Sequence, residues 1–293
     1  MIAAVSAAAG AAGVAYAAGI ERNAFVLRRY DVPVLPAGER PLRVLHVSDV
    51  HMLGRQRRKQ AFVASLAEER PDLVVTTGDN LAGADGIRVL LDALRAFQGT
   101  PGVFVLGSND YYAPKPKNPF KYFFKHHKRV AGSPLPWRDL VRGFTDDLGW
   151  RDLTNARGEI VVDGRLVEVA GVDDPHLKRD RLEVADPPAD PRAALHLALV
   201  HAPEPRALDR FERSGFDLVL SGHTHGGQLR LPGVGAIVTN CGIDRARARG
   251  LSRYGRAWLH VSAGLGTSPY APLRFACRPE ASLLTLTAVP ANR

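Results

Sequence analysis

Leu42-Arg43-Val44-Leu45-His46-Val47-Ser48-Asp49 is a β-branched apolar run that ends in a carboxylate, and the chain uses the same construction twice more. Leu73 to Thr77 leads into Gly78-Asp79-Asn80, and Val103 to Leu106 leads into Gly107-Ser108-Asn109-Asp110. Between the three runs lie stretches of helical periodicity, from Arg57 to Arg70 (closed by Pro71) and from about Ile87 to Phe97. Asp49, Asp79 and Asn109 are thirty residues apart each time, about one strand–helix–strand unit. Right-handed crossovers set successive parallel strands side by side, so the three side chains are expected at one carboxyl-end edge.

Farther along, Leu195 to Val200 runs into His201-Ala202-Pro203. After a helix over Pro205 to Ser214, Leu218-Val219-Leu220 runs into Gly222-His223-Thr224-His225-Gly226-Gly227-Gln228. Two imidazoles one residue apart at a strand end can face a common cation, and flanking glycines let the backbone bend around it. A lone Asp after a strand is more often a turn or cap residue, so the order and spacing of the whole series carry the weight. Asp49, His51, Asp79, Asn109, His201, His223 and His225 are the candidate metal ligands. Carboxylate, amide oxygen and imidazole without thiolate suit Mn, Fe or Zn rather than Ca or a closed structural zinc site. Seven ligands exceed one tetrahedral shell, so two divalent ions sharing Asp79 are expected. Such a pair activates a shared water and clamps phosphoryl oxygens during in-line attack. Asn80 is a supporting neighbour of Asp79.

The remaining chain frames this set. Its 293 residues are 45% hydrophobic and 24% charged, which suits one large globular domain. The formal charge of +9 favours an anionic partner. Two cysteines, Cys241 and Cys277, without CxxC spacing indicate no disulfide framework. Residues 1–20 lack charged side chains and are expected as an N-terminal membrane helix, although Ala and Gly dominate them. Arg22, Arg28 and Arg29 follow and would keep the catalytic domain cytoplasmic. Residues 21–41 read as a Pro-containing linker and 42–293 as the catalytic domain. Within it, residues 111–130 interleave Tyr and Phe with Lys, an insert suited to a membrane surface, an anionic substrate or single-stranded nucleic acid. A hairpin is expected from Ile160-Val161-Val162 through Asp163-Gly164 to Leu166–Ala170, and a polar loop beside the site from Pro175 to Pro191.

The series Asp49-x-His51, Gly78-Asp79, Asn109, His201 and Gly222-His223-x-His225 resembles the calcineurin-like metallophosphoesterases over about Arg43 to Thr287. With Gly226-Gly227-Gln228 it is most similar to their membrane-anchored bacterial phosphodiesterase-like branch. The resemblance implies a four-layer α/β/β/α sandwich with a dinuclear site at the strand ends. It also implies Asp49, His51 and His225 on one ion, Asn109, His201 and His223 on the other, and Asp79 between them.

One block departs from the family, which reads Gly-Asn-His followed by Asp or Glu where this chain has Gly107-Ser108-Asn109-Asp110. In one register Asn109 takes the Asn place, and Asp110 falls where the family has a His that helps protonate the leaving group. In the other, Ser108 takes the Asn place and Asn109 the His place. Amide oxygen is the better ligand, so the first register is expected, with Asp79, Asn109 and Asp110 as the catalytic set. Neighbouring cations would hold the Asp110 pKa down, which favours substrates with good leaving groups. The expected activity is hydrolysis of a phosphodiester or pyrophosphate bond by a metal-bridging hydroxide, near an anionic membrane surface, where a lipid-linked phosphate ester is a candidate substrate. A soluble nuclease or nucleotide phosphodiesterase, with nucleic acid in the insert, is the alternative enzyme. A metal-binding scaffold without turnover is the alternative outside catalysis. No feature points to a protein partner.

Overall fold

The computed structural model describes residues 10–116 and 132–290. Its strands and helices, in chain order, are β1 (Val26–Leu35), β2 (Leu42–Val47), α1 (Arg57–Ser65), β3 (Leu73–Thr76), α2 (Gly86–Leu94), β4 (Gly102–Phe104), α3 (Ser108–Tyr111) and α4 (Trp137–Arg142). There follow β5 (Arg151–Asp152), β6 (Ala156–Val162), β7 (Arg165–Val172), β8 (Leu195–Val200), α5 (Pro205–Arg213) and β9 (Leu218–Ser221). The chain closes with β10 (Arg230–Leu231), β11 (Gly235–Ala236), β12 (Gly250–Tyr254), β13 (Ala257–Val261) and β14 (Glu280–Ala288).

Two six-stranded sheets form, ordered β1-β14-β2-β3-β4-β5 and β12-β13-β9-β8-β7-β6. The run β2-β3-β4-β5 is parallel, as is β13-β9-β8-β7. Strand alternation then sorts the side chains. Leu42, Val44, Leu73, Val75 and Val103 meet Val167, Leu195, Leu197 and Leu218 between the sheets. Leu45, Val47, Val74 and Phe104 turn outward onto Val63, Leu90 and Leu94 of α1 and α2. On the far side, Ala198, Val200, Val219 and Leu259 pack on Leu208 and Phe211 of α5. The layers run helix, sheet, sheet, helix. Each of the buried Leu and Val side chains contributes about 1.5–3 kcal/mol relative to exposure, so the two sheets form one rigid platform.

Two expectations at the N-terminus need correcting. Residues 26–35, assigned to the linker, are the outer strand of the first sheet, pairing in parallel with β14. Val32 and Leu35 are buried there and Arg28 Nε lies 2.6 Å from Glu280. Pro33 is tolerated because only one side of an edge strand has to be bonded. The expected membrane helix is described from residue 10 only. It becomes a π turn at Tyr16–Ile20 and a 3₁₀ turn at Glu21–Asn23. Among the described residues no helix is long and apolar enough to cross a membrane. The inner face of this segment is docked instead. Ala17 is buried, its carbonyl accepts from Arg274 N at 3.2 Å, and the Glu21 carboxylate accepts from Ala276 N and Cys277 N. Most of the basic-aromatic insert, residues 117–130, lies outside the described residues.

Candidate metal centre

Asp49, Asp79 and Asn109 follow the carboxyl ends of the adjacent parallel strands β2, β3 and β4, and His201 and His223 follow β8 and β9 of the facing sheet. The two sheets thus deliver all seven candidates to one rim. Five of them, Asp49, His51, Asp79, His223 and His225, have positive φ, between 44° and 69°. A non-glycine residue in that region costs about 1–3 kcal/mol. Five such costs in one small cluster mark a place where side-chain aim outweighs backbone comfort. Close approach is required as well: a Cβ on Gly222 would collide with Ser48 Oγ and Asp49 Oδ2, and one on Gly107 with Asp79 Oδ1.

The donor atoms converge. Asp79 Oδ2 lies 3.6 Å from His51 Nε2, and Asp79 Oδ1 lies 3.4 Å from His201 Nε2. His225 Nε2 is 3.7 Å from Asp49 Oδ1 and 3.2 Å from His51 Nε2. His223 Nδ1 is 3.3 Å from His201 Nε2. The far nitrogens set the tautomers. His201 Nδ1–H donates to Thr77 O at 2.6 Å and His223 Nε2–H to Asn240 O at 3.3 Å. The lone pair of His223 Nδ1 therefore faces His201 Nε2. Ligand atoms about 2.1 Å from a shared ion in a tetrahedral shell are about 3.4 Å apart, so these spacings fit a divalent cation. Asp49 with His51 and His225, and Asp49 with Asp79 and His201, each gather their ligand atoms within 4.8 Å. Asp49 therefore leans toward both groups, while the resemblance assigned it to one. His223 N donates to both Asp49 oxygens, at 3.1 and 2.9 Å.

The electrostatics match a site built for cations. Burial pushes the Asp49 carboxyl up to about 6 and the His51 imidazole down to about 4. Burial also carries His223 and His225 well below the usual histidine range. At His201 burial opposes a charge, but the Asp79 carboxylate overrides it and lifts the pKa well up. The three neutral imidazoles of His51, His223 and His225 could not have been drawn to one spot by their own attraction.

The third block is arranged differently from the preferred register. Asn109 faces Asp79, its N donating to Oδ1 at 2.7 Å and its Nδ2 to Oδ2 at 2.5 Å. Asp110 does not face the rim. It is fully buried, with Oδ1 accepting from Asn80 N at 2.8 Å and Oδ2 from Gly107 N at 2.9 Å. Burial, reinforced by Asp79, pushes it up to about 7. The reason is local: Asp110 sits in the first turn of α3 and satisfies free backbone N–H groups there and at the end of β3. Asn80 is accordingly bonded to Asp110 rather than to Asp79.

Several neighbours escaped the sequence reading. His260 Nδ1, His46 Nδ1 (3.0 Å), His46 Nε2 to Thr77 Oγ1 (2.9 Å), Thr77 Oγ1 to Ser48 Oγ (2.7 Å) and Ser48 Oγ to Asp49 Oδ2 (2.6 Å) form one buried line. A carboxylate can only accept, so every donor must point toward Asp49, which makes His46 donate from Nε2 and accept at Nδ1. Lys59 Nζ donates to Val50 O at 2.6 Å, behind His51. Arg274 is also fully buried. Its Nη2 donates to the carbonyls of Ala263 (2.7 Å), Gly264 (3.0 Å) and Gly266 (2.6 Å) and lies 3.4 Å from His225 Nδ1. His176, from the loop expected beside the site, packs on His223 with ring centroids 4.1 Å apart. Isolated His, Thr or Arg residues carry no spacing signal, so only apposition of the sheets reveals them.

Comparison with known proteins agrees with this geometry. The chain is 28% identical over 278 residues to the phosphodiesterase YaeI of Escherichia coli (strain K12), covering 94% of this chain and 93% of that protein. It is 29% identical over 252 residues to YpbG of Bacillus subtilis (strain 168), covering 85% and 82%. A Danio rerio protein named as a transmembrane protein with a metallophosphoesterase domain is 27% identical over 278 residues, covering 87% of this chain but 56% of that longer protein. Residues 42–227, which carry every one of the seven candidate ligands, match the calcineurin-like phosphoesterase family. With the family's donor residues gathered at one rim between two facing sheets, the chain belongs to the calcineurin-like phosphoesterases.

Proposed function

We propose that the protein hydrolyses a phosphodiester or pyrophosphate bond with two divalent cations held by Asp49, His51, Asp79, His201, His223 and His225, close to a membrane. The observation that carries this reading is the convergence of four imidazole nitrogens on the Asp49 and Asp79 carboxylates, with neighbouring donor atoms 3.2–3.7 Å apart. Such cations supply water activation and neutralisation of phosphoryl oxygens. Asp79 spans both groups of imidazoles and is the natural shared ligand. Asp110, buried under Asn80 and Gly107, is a positioning residue. This favours the register in which Ser108 takes the family's Asn place and Asn109 its His place. Asn109 keeps Asp79 aimed, and its half-buried amide can hydrogen-bond a leaving oxygen but has no proton to give at neutral pH. Leaving groups that are stable as anions are therefore the fitting class, which phosphate and aryl oxygens satisfy.

The test is turnover of a chromogenic aryl phosphodiester, its monoester, a pyrophosphate and single-stranded DNA by manganese-loaded protein. Diester or pyrophosphate hydrolysis that falls about a thousandfold in Asp79→Asn, roughly 4 kcal/mol of lost stabilisation, supports the reading. Metal binding without turnover of any of the four would identify a scaffold. Cleavage of DNA alone would identify a nuclease.

A further inference from the structure

Ten large apolar side chains are exposed among the described residues, and eight of them lie on three short segments: residues 10–20, 228–236 and 270–275. These segments touch. The Tyr16 and Phe275 rings meet edge-on with centroids 6.4 Å apart, Leu229 bridges Phe275, and Gln228 Nε2 donates to Ala271 O at 2.8 Å. Ile20 is 62% exposed, Tyr270 53% and Leu231 49%, while Val234, in the turn joining β10 to β11, is 72% exposed. Chance would scatter exposed Leu, Val and Tyr singly, whereas a contiguous group marks a surface with a partner.

We propose that this collar is a docking surface for an anionic lipid bilayer, on which the protein rests as a monotopic rather than a spanning protein. Three observations select that occupant. None of residues 10–20, 228–240 or 268–278 is acidic, and besides the buried Arg274 they carry Arg230 and Arg278. Among the described residues Arg230 has no ion-pair partner, its guanidinium bonding instead to Gly226 O at 2.8 Å. The chain leads out of the collar at residue 10 into nine further residues without a single charge, which a protein partner does not require and a hydrocarbon boundary favours. An apolar face flanked by Arg230 and Arg278 and free of carboxylates complements anionic headgroups.

The collar is built on the chain that carries His225. Cys277 Sγ donates to His225 O at 3.3 Å, and Arg274 spans from the Ala17 carbonyl (3.2 Å) to His225 Nδ1 (3.4 Å). Docking therefore brings the metal rim to headgroup level, where the substrate is a phosphate ester borne by a lipid. This last step rests on the hydrolase reading above, whereas the docking surface does not.

The full-length protein is sedimented with vesicles of phosphatidylglycerol and phosphatidylcholine, and with phosphatidylcholine alone, while aryl diester turnover is read in lipid-free buffer. Wild type should bind the anionic vesicles, and Leu231→Ser with Val234→Ser should weaken that binding about tenfold or more with turnover within about twofold. Val234→Trp should gain fluorescence quenching by brominated acyl chains. Equal binding of wild type and the double variant, or no quenching, overturns the proposal. So does a lipid-free dimer of wild type that the double variant dissolves, which would assign the collar to a second copy. Vesicle binding without diester turnover would leave the collar standing and remove the hydrolase reading.

Discussion

The two halves of the candidate metal centre are held by different kinds of structure. Asp79, Asn109 and His201 sit at the ends of parallel strands, and their partners are the neighbouring strand ends: Thr77 O for His201 at 2.6 Å, Asp79 for Asn109. His225 sits in a 3₁₀ turn with itself and Gly226 at positive φ, braced by Arg274 and Cys277 some fifty residues on. Those two residues are in turn tied to Ala17 and Glu21 near the other end of the chain. One half inherits its geometry from the sheets; the other depends on contacts between the ends of the chain. The contrast implies that remote substitutions disturb the His225 half first.

Arg274→Met is the sharpest attempt to break the contrast. It leaves three buried carbonyls without their donor and is expected to cost about 3 kcal/mol, which lowers Tm by about 6–12 °C in a domain of this size. Differential scanning calorimetry with and without manganese reads it, and an unchanged Tm would mean that the brace is not needed. Next in size is Thr77→Val, which cuts the line of donors to Asp49 while keeping shape. Divalent-metal affinity should fall about 10–100-fold by calorimetric titration, whereas Thr77→Ser, which restores the hydroxyl, should stay within about threefold. Equal losses in both variants would reduce Thr77 to a packing residue.

The smallest effect is expected away from both halves. His196 Nδ1 is 2.7 Å from Asp217, which raises the imidazole pKa against the opposing effect of burial. A raised folded-state value means the stabilisation is complete below the ordinary histidine range and fades as pH climbs through the folded pKa. His196→Gln should thus cost about 0.5–1 kcal/mol near pH 5.5 and less near pH 9, read as urea midpoints at the two pH values. A larger loss at the alkaline end would reverse the sign of this account.

The α/β alternation was readable because β2, β3 and β4 each end in a polar residue after an apolar run, with amphipathic helices between. The gathering of the candidate residues at one rim was readable for the same reason. β1 was not: Pro33 and Pro36 gave it the signature of a linker, and only pairing with β14 makes it a strand. Asp110 was misassigned because a sequence register cannot tell a side chain aimed at the rim from one turned under the backbone. At the other end of the chain, Glu280 holds Arg28 and its Oε1 accepts from Ala263 N, so a single buried carboxylate joins the first strand to the loop under the site.

The amino-acid sequence alone determined which residue types meet and at which strand ends, since period and spacing are local properties that survive without any partner. Tertiary structure alone decided how each donor is aimed. Tautomers, the Asp49 hydrogen-bond line, the Arg274 brace and the apolar collar all arise between segments tens to hundreds of residues apart. Only packing of the two sheets brings those segments within hydrogen-bonding distance.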